Sequence, residues 1–122
     1  MEQVIHNLIK LQNQFRILHW QTKSFAQHKA LGNAYDDLDD SIDKLVETHQ
    51  GKYGRIFFSE PFSIELSNFD DIDIVSVLDE VTEYLTTSFN EEVDSVTDSD
   101  CLNIRDEILG DLNKLKYLLT LS

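Results

Sequence analysis

The chain has 122 residues, enough for one domain with a real core and too few for two. Its 23 acidic and 10 basic residues give a formal net charge of -13, which argues against nucleic acid and anionic membrane as partners for the chain as a whole and favours cations, metal ions among them. A single cysteine excludes an internal disulfide and a Cys-rich zinc site, and one proline with four glycines is too little punctuation for a many-turned β fold.

Four segments carry helical periodicity. The first spans about Val4 to Lys23, where Val4, Leu8, Leu11, Phe15 and Leu18 alternate steps of four and three, and Ile5, Ile9 and Ile17 widen the stripe. The second spans about His28 to Gln50, with Leu31, Tyr35, Leu38, Ile42 and Leu45 as its apolar line, Ala34 and Val46 beside it, and Gly51 and Gly54 as its stop. The short link from Ser24 to His28 makes these two helices antiparallel neighbours.

Between Tyr53 and Asp71 the pattern breaks. Gly54, Ser59, Pro61, Ser63, Ser67 and Asn68 read as loop. Ile56, Phe57, Phe58, Phe62, Ile64, Leu66 and Phe69 predict an ordered crossover whose aromatics pack on the helices, with room for a short strand. A connection of this length can travel the length of a bundle and let helices two and three run parallel.

The third helix is expected from about Asp73 to Val93, with Ile74, Leu78, Val81, Leu85 and Phe89 on one face and Asp70 and Asp71 at the dipole-favoured start. Asp94 to Asp100 is polar and turn-like. The fourth helix is expected from about Cys101 to Leu121, with Ile104, Ile108, Leu112, Leu115 and Leu119 as its stripe and Thr97, Asp98 and Ser99 as candidate N-caps. Helices joined short, long, short predict an all-α fold, the ferritin-like four-helix bundle with a long crossover between helices two and three, as one domain over 1–122. The start Met1-Glu2-Gln3 has no basic region leading into an apolar run, and no apolar stretch reaches the ~18 residues of a membrane span, so a cytoplasmic protein is expected.

Helix two carries more acid than a solvated face needs: Asp36, Asp37, Asp39, Asp40, Asp43 and Glu47. Asp36/Asp40, Asp39/Asp43 and Asp43/Glu47 are like charges four apart, each pair destabilising a helix by roughly 0.2–0.5 kcal/mol, with Lys44 a partial offset. A bound cation would relieve that repulsion. Oxygen ligands suit hard cations, and iron when imidazole joins them. His19 ends the first helix and His28 opens the second. His28 lies fifteen residues before Asp43, roughly 22 Å along a helix, so one copy cannot bring His28, Asp43 and Glu47 to one ion. Two copies packed antiparallel across a two-fold axis can, and symmetry then creates two sites.

His19-Trp20, then His28, then Asp43 and Glu47 resembles the signature of Dps, the DNA-binding protein from starved cells, a miniferritin. The resemblance covers most of the chain, its specific part being residues 19–47; the segment from Asp98 through Leu119 resembles that family's last helix, and short phage-encoded ferritin-like proteins look similar too. It implies a homo-oligomer, at least a dimer, binding ferrous iron between subunits and oxidising it with peroxide or oxygen. His19 and His28 would be the nitrogen ligands, Asp43 and Glu47 the oxygen ligands, with Glu47 bridging and Trp20 beside the site. Asp36, Asp39 and Asp40 would gather cations. The link between the two histidines is about three residues shorter than that family's, and Gly32 stands where the family often has another acid. Its lysine-rich N-terminal arm is missing, so DNA binding is not implied. A phage protein of this kind would work in the host cytoplasm.

Other residues read more plainly. His6 and His49 have no carboxylate constellation, Trp20 suits packing, and Cys101 suits a small buried apolar position. Helices three and four contain no histidine, which excludes the Glu-x-x-His pairs of an intrasubunit di-iron bundle. The competing reading is a non-catalytic ferritin-like module, structural or interacting, whose acidic stripe faces water or a basic partner; DNA mimicry is a third.

Overall fold

The apolar stripes read from the sequence are the buried faces of the helices. The computed structural model describes residues 1–121, and among them there are four α-helices and no strand: α1 (Glu2–Gln21), α2 (Phe25–Tyr53), α3 (Ile74–Thr86) and α4 (Ser99–Leu118). Short 3₁₀ turns lie at Phe69–Asp71 and Ser88–Glu91. One core joins all four helices, through residues such as Leu8 and Phe15 of α1, Leu31 and Leu45 of α2, Leu78 and Leu85 of α3, and Ile108 and Leu115 of α4. Cys101 belongs to it, and burial pushes its thiol up, as a small apolar filler requires.

The helix bounds move from those expected, for local reasons. α1 stops at Gln21, and Thr22 turns extended (ψ 147°). The Ser24 hydroxyl accepts from the Gln27 N–H at 3.3 Å, so α2 begins at Phe25 and the link is tighter than expected. Gly51 lies inside α2; the stop is Gly54, whose φ of 85° is open to glycine and strained for other residues. α3 ends at Thr86 instead of reaching Val93, because the Thr86 and Thr87 hydroxyls donate back to the Glu83 carbonyl and Arg105 takes the Leu85 carbonyl at 2.8 Å. The following 3₁₀ turn still delivers Phe89 to the core.

Side-chain pairs give the helix directions. Gln12 of α1 reaches Asp39 of α2 and His19 reaches His28, so α1 and α2 are antiparallel. Lys44 pairs with Glu107 and Lys52 with Asp100, so α2 and α4 are antiparallel. Lys116 pairs with Asp79, and Arg105 bonds Asn90, so α3 and α4 are antiparallel. Helices α2 and α3 therefore run parallel, as the long connection allows.

That connection climbs α1 from end to end: Glu2 receives the Ser59 N–H, His6 meets the Ser63 carbonyl at 3.0 Å, and Gln14 brackets Ser67. Gln21 then accepts the Phe69 N–H at 2.7 Å. Gln14 is only 3% exposed, and its amide satisfies both the N–H and the C=O of Ser67 at 2.8 Å, as a strand neighbour would. The aromatics hold the crossover only in part. Phe57 (79% exposed), Phe58 and Leu66 are exposed, the Phe62 ring meets the His6 ring of α1 edge-on at 5.1 Å, and Phe69 and Ile72 pack against the core. Extended backbone along a helix needs hydrogen-bond partners, and polar side chains of α1 supply them.

Where α2 meets α4, Asp98 is 3% exposed at the N-cap position. Its carboxylate does not cap α4. It accepts from the Asp94 N–H (2.8 Å), Tyr53 (2.6 Å) and Lys52 (3.3 Å), which hold it below the usual carboxylate range. His49 is nearby, its ring 4.8 Å from that of Tyr53 and its Nδ1 buried without a partner. Burial first, then the N-terminal ammonium, hold this imidazole below its usual 6.5; Lys52 acts in the same direction, and Asp98 and Glu92 oppose it. A histidine with a depressed folded-state pKa binds its proton first in the unfolded chain, so its contribution is present above the ordinary value and lost as pH falls below it. Chemical unfolding should therefore give decreasing stability from about pH 6.5 downward, and His49→Leu should flatten that slope. An unchanged slope in the variant would refute this role.

Candidate metal centre

The tight link places the last turn of α1 against the first turn of α2, and the two histidines close on each other there. Their rings stack with centroids 3.8 Å apart and planes 15° from parallel. The contact is reciprocal: His19 Nδ1 lies 2.5 Å from the His28 carbonyl, and His28 Nδ1 lies 2.7 Å from the His19 carbonyl. A carbonyl only accepts, so both Nδ1 atoms carry protons and donate. A neutral imidazole protonated at Nδ1 keeps its lone pair at Nε2. Metal-ligating histidines characteristically have this arrangement, one nitrogen tied to a carbonyl and the other free.

Gly32, one turn beyond His28, borders the pair. A Cβ at Gly32 would sit 2.8 Å from His19 Cε1 and 3.0 Å from its Nδ1, so the imidazole occupies the space a side chain would need. An acidic side chain at this position would therefore collide with His19 as it stands here.

An open cleft of about 560 Å³ flanks the rings, lined by Arg16, Trp20, Phe25, Lys29, Tyr35 and Asp36 with the two histidines and Gly32. Trp20 is 65% exposed and Phe25 78%, so Trp20 is not the packing residue its type suggests. The Arg16 guanidinium lies 4.2 Å from the centre of the Tyr35 ring.

The six acids of α2 separate into different settings. Asp39 accepts from the Gln12 amide at 2.6 Å through one carboxylate oxygen and is otherwise exposed. Asp37 faces α4, where burial and then Asp37 push the Asp111 carboxyl above its usual range. Asp43 and Glu47 are exposed one turn apart. Lys44 leans to Glu107 at 4.0 Å, so its ion pair lies across the helix interface. The unbroken run of α2 keeps His28 and Asp43 roughly 22 Å apart, and among the described residues of one chain no three His, Cys, Asp or Glu side chains gather to hold an ion. One chain brings His19 and His28 together and leaves Asp43 and Glu47 apart from them.

Sequence reasoning missed Gln12 and Arg16, which shape this face, and noted Gly32 only as a position lacking an acid. The heptad-like stripe drew attention to the core, and no pattern flags a glutamine or glycine whose task is to touch one neighbouring side chain.

Residues 19–119 match the profile of a family of unknown function, DUF5856. The chain belongs to this family. The matched segment contains all of His19, His28, Asp43 and Glu47. A relative is the "uncharacterized 14.6 kDa protein in mobD-ri intergenic region" of Enterobacteria phage T4, 30% identical over 115 residues, covering 93% of this chain and 83% of that protein. No solved structure matches the chain. No helix among the described residues is long and apolar enough to cross a membrane.

The histidine geometry has a direct spectroscopic consequence. At mildly alkaline pH, nitrogen-resolved imidazole NMR should show His19 and His28 both protonated at Nδ1 and bare at Nε2. Two Nε2–H rings would contradict the clasp.

Proposed function

We propose that this member of DUF5856 is a ferritin-like, Dps-like iron-binding protein that oxidises ferrous iron at sites shared between two subunits. The observation that carries this reading is the reciprocal histidine clasp, which fixes both Nδ1 atoms and leaves both Nε2 atoms as donors. Antiparallel α1/α2 and α3/α4 hairpins joined by a long crossover agree with a ferritin-like bundle.

The donor set of two imidazoles and two carboxylates suits iron. Across a two-fold axis passing beside Tyr35 and Asp36, midway between His28 and Asp43, each clasp faces the Asp43 and Glu47 of the other copy. Charge supports the pairing: Arg16, Lys23 and Lys29 surround the histidine end, and Asp36, Asp40, Asp43 and Glu47 lie along the acidic stretch it would meet. Exposed Trp20 and Phe25 would be covered in the same contact.

In this reading His19 and His28 bind the substrate ion through Nε2. Asp43 binds it as an anion, and Glu47, one turn on, bridges to a second ion. Each ferrous ion gives up one electron, and two together, with two protons from solvent, reduce one hydrogen peroxide to two waters. The chain's part is to hold the ions in place and to neutralise their charge with carboxylates, which favours the ferric product.

Anaerobic titration of ferrous iron into the protein should show stoichiometric uptake together with a dimer or larger species in sedimentation. His28→Ala combined with Asp43→Ala should weaken uptake by at least about tenfold. Absence of stoichiometric uptake would remove this reading and favour the interaction module. That module predicts unchanged assembly when Asp43 and Glu47 become Asn and Gln.

A further inference from the structure

We propose that Gly32 is a positioning residue for the histidine pair: its bare Cα is the seat of the His19 imidazole, and this seat sets which ring nitrogen the pair offers to a ligand. The role of the pair as ligand rests on the iron-binding reading; the seating does not.

Glycine is the poorest helix former after proline, and Gly32 lies in the interior of α2, well away from either end. Its φ is not positive, so no turn geometry demands it. The remaining reason for glycine is close approach. Three atoms of the His19 ring, Cε1, Nδ1 and Nε2, lie 2.8, 3.0 and 3.6 Å from where its Cβ would be. No comparable neighbour lies within 4 Å of such an atom at Gly51, Gly54 or Gly110.

A methyl group at position 32 displaces the imidazole, the movable end of a side chain, while the backbone of α2 can stay. The ring is tied on two sides, by its Nδ1–H to the His28 carbonyl and by the stack on the His28 ring. Retreat from a new Cβ therefore loosens both. His28 loses its stacking partner, and the His19 carbonyl it donates to lies on the same shifting turn. The two rings then return to the ordinary mixture of tautomers, with Nε2 partly protonated and closed to a cation.

Fold and site respond differently to a side chain at position 32. Gly32→Ala improves the helix and costs only the seat, so it should keep or raise the melting temperature while changing the histidines. In the wild-type protein, nitrogen-resolved imidazole spectra at mildly alkaline pH should show Nδ1–H for both residues; in Gly32→Ala both should move toward Nε2–H. Zinc, as a redox-silent probe, should bind Gly32→Ala about ten- to a hundredfold more weakly, the usual loss when a partner orienting a ligand is removed. In a His19→Ala background the seat is empty, and adding Gly32→Ala should raise the melting temperature further. Unchanged tautomers in Gly32→Ala, or a melting temperature that falls on adding it to His19→Ala, would overturn the proposal. Because the spectra contain no metal, they decide the role of Gly32 even if ferrous iron fails to bind.

Discussion

The hairpin tip between α1 and α2 is the constraint from which the rest of the site follows. A link of three residues, Thr22 to Ser24, forces the last turn of one helix against the first turn of the next. At that distance two histidine side chains can each reach the other's main-chain carbonyl, and each does. The bonds tie up Nδ1 on both rings and turn two flexible side chains into one rigid unit. The entropy of ordering them is met within the fold, before any ligand arrives. A longer link would leave the turns apart, and a side chain at position 32 would push the His19 ring away.

Polar side chains fix the path of the chain around this tip. Gln14 and Gln21 of α1 act as surrogate strand neighbours for the crossover, which returns the chain to the hairpin-tip end before α3 begins. At the opposite end, Asp98 gathers a main-chain N–H, a phenol and an ammonium, locking the start of α4 to the end of α2. These buried polar groups are satisfied, so they specify the arrangement without leaving uncompensated desolvation. His49 Nδ1 is the exception, and it makes this end sensitive to acid.

Much of the fold was legible because helical burial has a period. Every residue of the stripe from Val4 to Leu18 is buried, and the long connection correctly implied parallel α2 and α3. The end of α3 was not legible, since threonine hydroxyls and an arginine from α4 terminate it. The crossover misled in a different way. Aromatic residues usually signal packing, yet Phe57 and Phe58 are exposed, and glutamines share the holding with Phe62 and Phe69. At the site, the spacing of His19, His28, Asp43 and Glu47 was plain in the sequence, but tautomer, stacking and the reason for Gly32 depend on contacts between helices that no local pattern encodes. The acidic run looked uniform as text, whereas helical geometry sends Asp37 toward α4, Asp39 toward Gln12, and leaves Asp43 and Glu47 exposed.

The central claim is that the clasp of one copy and the carboxylates of another share an ion. Anomalous diffraction from crystals of the oligomer grown with ferrous iron or zinc measures this directly. The expected result is a metal peak within bonding distance of Nε2 of His19 and His28 and of carboxylate oxygens from Asp43 and Glu47 of a symmetry-related copy. A peak held by one chain alone, or a histidine pair facing solvent in a dimer built through another surface, would contradict it.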